Sequence, residues 1–465
     1  GIVAGFLNAP KTIEDVEKLL ADSHHNEASH SEKVSHDAHA AHAVEATHAE
    51  AKVVDSVKVE AVDSTHAVAE AVDSSAVAVA ETHSDNHDSH KKDEVAHSDD
   101  EHQKHLEHVL HQLQNKPWSA LYVACIFFML ISVGVLAFYA IQYAAQAGWS
   151  PILFRVMESI TGYLLPGSII FFILLVAASM HWGHNHIFVW MNPDVINPKH
   201  ADYDKLIDLK SGYLNVPFFL GRAAVFLIVW NLYRYFSRKN SLAQDAASDN
   251  SNYKKNFKLA AGFLVFFIVS ESMMSWDWIM SVDPHWYSTL FGWYVFASFF
   301  VSGITVIAMT TLYLKSKGYL EQVNTSHIHD LAKFMFGISI FWTYLWFSQF
   351  MLIWYSNIPE EVTYFVTRIE HYRLPFFGML ALNFIFPLLI LINTDFKRLT
   401  WIVVMAGTVI LFGHYIDFFN MIMPATVGDQ WFIGLPEIGA LLFFLGLFIF
   451  VVFRSEERRV GKECL

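Results

Sequence analysis

"SESMMSWDWIMSVDPHW", residues 270–286, closes the apolar run 257–269. The run has the length and composition of a membrane helix, yet its end carries Glu271 and Asp277, then Asp283 and His285. An ionised side chain at the centre of a bilayer costs about 2.5 kcal/mol or more. Such residues persist where they pair, line a wet cavity, or carry ions or protons. If the run is a span, these acids are the first functional candidates.

The rest of the chain supports the span. Of 465 residues, 54% are hydrophobic and only 16% charged. Apolar stretches able to cross a core of about 30 Å recur at 119–144, 152–181, 213–235, 257–281, 288–314, 331–355, 374–394, 399–421 and 434–453. The fold class expected is an all-α polytopic membrane protein. "GIVAGFL" at 1–7 reads as the remnant of a further span, for about ten in the native protein. The tail 454–465 breaks abruptly from the last apolar run and reads as non-native.

Charge is unevenly placed. Residues 8–117 hold 23 acids and 9 lysines, which accounts for the whole net charge of −14. The same segment holds 16 of the 25 histidines and repeats "AVDS" at 61–64 and 71–74. It lacks a lasting hydrophobic period, so disorder is expected over 8–104. Residues 105–117 place Leu106, Val109, Leu110 and Leu113 on one face, which predicts an interfacial amphipathic helix. His102, His105, His108 and His111 recur every three residues. Without Cys or a second-shell pattern they read as a solvated or interfacial face more than a metal site. No basic groove suggests nucleic acid. The two cysteines, Cys125 and Cys464, make no framework, and no CxxCH motif attaches a haem.

Loops rich in Lys and Arg, around 234–255, 315–333 and 397–398, are assigned to the cytoplasm. Lys199, Lys205, Lys210, Arg368 and Arg373 then fall outside, as does the acidic segment. At about 1.5 Å per residue, Glu158 lies about 9 Å from the cytoplasmic end of its span, and Arg222 about 18 Å. Glu271 and His414 lie about 22 Å in, Asp417 about 27 Å and Asp277 about 31 Å. Arg222 needs an anion, and Glu271 is nearest in depth.

"GHYIDFFN" puts His414 and Asp417 three apart on one face, the spacing of a relay or of a polar pair locking two helices. Asp283 or Ser281 is expected to cap the next helix, with His285 and Trp286 at the interface. His327 and Asp330 open either a proton entrance or a helix. A b-type haem would need two facing histidines, and His414 alone lies deep in a span. The cluster "HWGHNHIFVWMNP" (181–193) suits a metal or a docking loop. The proton-path candidates are Glu158, Arg222, Glu271, Asp277, His327, His414 and Asp417. No catalytic residue and no metal ligand is assigned.

Four stretches carry a resemblance: "LNVPFFLGRAAVFLIVWNLYRYFSRK" (214–239), residues 271–304 from "ESMMSWDWIM", "NTSHIHDLAKFMFGISIFWTYLWFSQFMLIWYSNIPEE" (324–361) and "FGHYIDFFNMIMP" (412–424). Together with "NAPKTIEDVEKLL" and the His-rich insert, they resemble the F membrane subunit of bacterial alternative complex III, of a Bacteroidota-like type. That complex is a quinol:cytochrome c or quinol:electron-acceptor oxidoreductase. Its F subunit belongs to the polysulfide-reductase (NrfD-like) membrane-anchor superfamily. The likeness covers about 118–453, the expected transmembrane domain; the clipped first span and the tail depart from it.

The resemblance implies two four-helix bundles plus extra helices, in the bacterial inner membrane, with the acidic segment periplasmic. It implies menaquinol as the substrate of the complex, with haem c and iron–sulfur clusters on partner subunits and no redox centre on this chain. Partners would be the related C subunit, the iron–sulfur subunit, the haem c subunits, membrane lipid and a terminal oxidase. The chain would not be catalytic alone. A pure scaffold is the rival reading, and a stand-alone ion transporter is a third, weakened because Pro166-Gly167 and Pro387 do not form a repeat pair.

Overall fold

The computed structural model describes residues 1–19 and 87–463, with side chains described at 1–19, at 103 and from 106 to 454. Of the stretch expected to be disordered, residues 20–86 lie outside these residues, as do 464–465 of the tail. The chain divides into residues 12–108 and a membrane body of Gly1–Lys11 with Val109–Leu465. In the former, residues 13–19 are helical, opened by Thr12 and Asp15, each of which accepts from the other's backbone N–H.

Nine helices among the described residues are long and apolar enough to cross a bilayer. A short helix α1 (Ile2–Asn8) precedes them. They are α2 (His87–Ala144), α3 (Pro151–Ser179), α4 (Val216–Asp245), α5 (Ser251–Val282), α6 (Phe291–Ser316) and α7 (Thr325–Ser356). After a short amphipathic α8 (Pro359–Glu370) come α9 (Arg373–Leu391), α10 (Thr400–Val427) and α11 (Leu435–Glu463). All nine apolar stretches become helices, since a chain in hydrocarbon must satisfy its backbone within each segment.

Two local readings are corrected. The stretch 105–117 is not a separate surface helix: α2 runs unbroken through Pro117 into the span. Neither Asp283 nor Ser281 caps α6, whose N-cap is Leu290 without a side-chain bond. Ser281 instead donates to Asp277 O at 2.5 Å, closing the last turn of α5. Trp286 is buried and stacks on Tyr364 at 4.0 Å between ring centres.

Helix α4 packs on α5 and α3, α5 packs on α6, and α6, α7, α9 and α10 pack together. The span of α2 is 94% buried. It bonds α5 through Tyr122 Oη to Trp278 O at 2.7 Å, and packs on α10 through Phe127 and Phe418. Its crossing with α6 is made by two glycines. A Cβ on Gly134 would stand 2.5 Å from Phe299 O, and one on Gly303 2.9 Å from Val135 N. Such contacts replace the hydrophobic effect as the force joining helices in lipid. Helix α11 packs on α3 and on α1.

Candidate functional site

Helix α10 places His414 and Asp417 on one face, as their spacing requires, and both are fully buried. Tyr294 and Ser298, one turn apart on α6, face them, as does Trp342 on α7. Tyr294 Oη donates to Asp417 Oδ1. Ser298 Oγ donates to Asp417 Oδ2 at 2.7 Å, and Trp342 Nε1 donates to the same oxygen at 2.9 Å. Three donors on two oxygens is the complement of an acceptor-only carboxylate.

Ser298 Oγ also lies 2.9 Å from His414 Nδ1, while His414 Nδ1 is 3.6 Å from Asp417 Oδ2. A hydroxyl has one proton, and Ser298 gives it to Asp417. His414 Nδ1 therefore carries the proton it shares with Ser298, and Nε2 holds the lone pair. That Nε2 is buried and has no hydrogen-bond partner. So the pair expected from spacing is not a direct bond but a chain, imidazole to hydroxyl to carboxylate.

Helix α9 completes the site by an irregularity. Pro387 lacks an N–H for Asn383 O, and the helix absorbs this as a π turn over Ala381–Ile385. The turn sets Asn383, fully buried, against α10 with Nδ2 3.5 Å from His414 Nδ1. Only a glycine at 413 leaves room, since a Cβ there would overlap Asn383 Oδ1, itself unpartnered.

The remaining candidates do not form one ladder. Arg222 pairs with Asp277, not with Glu271 as depth suggested. The bond is bidentate, Nε to Oδ2 at 2.7 Å and Nη2 to Oδ1 at 2.9 Å. Depth was counted from limits that the structure moves: α4 runs on to Asp245 and α5 starts at Ser251, which places Arg222 between the levels of Glu271 and Asp277. The guanidinium also donates to Tyr213 O at 3.2 Å and lies over the Tyr213 and Phe218 rings.

Glu271 is left by itself, 3% exposed. Ser272 Oγ donates to its Oε2 at 3.2 Å, and Oε1 has no partner. Glu158 is held by Arg155 Nη1 at 2.7 Å and Tyr139 Oη at 3.0 Å, and Arg155 also binds Asp245 on α4. His327 forms a capping box with Asn324 at the start of α7, which is the local of its two readings.

Sequence reasoning missed Tyr294, Ser298, Trp342 and Asn383, which surround the pair. Hydroxyls and indoles are common in spans, so nothing local marks them; the Pro387 signal marked only the irregularity. Arg368, assigned to an outer loop, lies in α8 between α7 and α9 and is 4% exposed there.

At the end of α3, His181, His184 and Gly183 all take positive φ, folding the loop so that His186 stacks on His181 at 5.3 Å and meets His111 at 5.5 Å. Burial, and then the neighbouring His111, His181 and His184, push the His186 imidazole down to about 4. Among the described residues, no three His, Cys, Asp or Glu side chains converge as a metal set. No family model matches the chain, and no curated protein matches it.

Proposed function

We propose that this multi-pass membrane protein is a subunit of a quinol-oxidising respiratory complex of the alternative complex III type, and that it moves protons while partner subunits move electrons. One observation carries the proton reading. A fully buried carboxylate, Asp417, is joined through one hydroxyl to an imidazole whose outer nitrogen is unpartnered.

The step balances as follows. A proton binds His414 Nε2, and the imidazolium gives its Nδ1 proton to Ser298 Oγ. Ser298 passes its own proton to Asp417 Oδ2. The result is a neutral imidazole of the other tautomer and a protonated Asp417, with Ser298 unchanged. The proton has moved from His414 toward the outer side and neutralises the Asp417 carboxylate, which matters where an uncompensated buried charge costs several kcal/mol. Glu271, buried with a free oxygen and no paired cation, is the second station. Glu158 stands nearest the expected cytoplasmic side. Arg222–Asp277 and His327 act structurally, as a register lock and a helix cap.

The assembled complex tests this. Asp417→Asn and Glu271→Gln should lower the proton-to-electron ratio while the complex still assembles and oxidises quinol. The scaffold reading, favoured by the closed Arg222–Asp277 pair, expects less assembled complex and full turnover in what remains. An unchanged ratio in both variants refutes the proton reading.

A further inference from the structure

Arg368 is a buried cation that no carboxylate contacts among the described residues. Its Nε donates to Asn420 O at 3.0 Å, Nη1 to Tyr364 O at 2.8 Å and Nη2 to Met421 O at 3.4 Å. The first bond has a local cause. Pro424 lies inside α10 and has no N–H for the carbonyl four residues earlier, which is that of Asn420. Arg368 fills the gap and lies flat over the Tyr364 ring at 3.3 Å. Three of its five N–H groups are thereby used, and two remain.

Beside it is a cavity of about 10 Å³ between α6, α7, α8, α9 and α10, lined in part by Tyr294, Gln349, Arg368 and Asn420. That is about the room one water needs, given polar partners. One partner is a cation with unspent donors. Another is Asn420, whose Nδ2 donates to Met379 Sδ at 3.2 Å and whose Oδ1 is buried and unpartnered. The third wall is Tyr294, which already donates to Asp417. Asn420 sits one turn beyond Asp417 on α10, as Asp417 sits one turn beyond His414.

We infer that this cavity binds one water, held between the Arg368 guanidinium and the Asn420 amide oxygen, and that the water continues the His414–Asp417 chain past Tyr294. Arg368 is then a positioning residue that holds the water beside Tyr294. The water site stands on the cavity and its unpaired polar atoms alone. The conducting role rests on the proton reading above.

The test is a map of the native complex at a resolution that shows ordered solvent, with proton release measured in Asn420→Leu. A peak within hydrogen-bond distance of both Arg368 and Asn420 is expected; a cavity filled by a side chain or containing no solvent peak overturns the site. Asn420→Leu removes one anchor and fills the space, so proton release should slow by about tenfold, roughly one net hydrogen bond, while electron transfer in uncoupled membranes is retained. Wild-type release in that variant overturns the conducting role. If instead the peak is present but Asp417→Asn leaves the proton-to-electron ratio unchanged, the proton reading fails and the water site stands.

Discussion

The Arg222–Asp277 pair allows the sharpest test of the packing argument. Arg222 is 6% exposed and Asp277 not at all, and two bonds of 2.7 and 2.9 Å join them. The guanidinium has a further carbonyl acceptor and two aromatic faces, so little of it stays unsatisfied. Removing one partner leaves the other charge buried without compensation, a loss of about 3–5 kcal/mol. Removing both and filling the space with apolar side chains costs far less, because the desolvation penalty goes with the charges.

Asp277→Leu and Arg222→Met should therefore each destabilise the chain by about 3–5 kcal/mol, and the double variant by less than either. The corresponding cycle between Arg222 and Glu271 should show coupling near zero, within about 0.5 kcal/mol. The assay is reversible unfolding of the purified protein in detergent, supported by the amount of assembled complex in membranes. Additive losses for Arg222 and Asp277, or strong coupling of Arg222 to Glu271, would refute the pairing.

Two further outcomes are expected. His186 is depressed to about 4 from an ordinary value of 6.5, so over that window the unfolded loop binds more protons than the folded one. Loop stability is full above pH 6.5 and falls as pH drops toward 4. The protection of the His186 amide relative to its intrinsic exchange rate, the N–H donating to Asn115 Oδ1 at 2.7 Å, should fall across that range, and a His186→Gln variant should lose the pH dependence. At the α2–α6 crossing, Gly134→Ala places a methyl against backbone rather than a movable side chain, and should cost about 1–3 kcal/mol in thermal unfolding of the protein. A neutral result there would mean the helices can separate without loss.

How much was legible depends on which physical signal each feature leaves in the chain. Apolar runs report spans directly, because hydrocarbon imposes a length and a helical backbone on whatever crosses it. The His414–Asp417 face follows from a spacing of three. The charge content of the spans placed ionisable residues inside the membrane body. Pairing was another matter. Depth along separate helices suggested Arg222 with Glu271. A side chain as long as arginine spans more than a helical turn, so depth alone does not choose its partner. Surface and core are equally indistinct for a short helix such as α8, whose cation turns inward onto a carbonyl freed by a proline on another helix.

Read alone, the sequence determined nine membrane helices, their approximate limits, and the ionisable residues within them, since each of these is set by composition along a single segment. The tertiary structure alone decided that Asp277 answers Arg222, that Ser298 joins His414 to Asp417, that a π turn brings Asn383 onto Gly413, and that Glu271 stands unpaired. Those outcomes depend on how helices rotate and cross, and rotation is settled by contacts between residues far apart in the chain, such as Gly134 against Phe299.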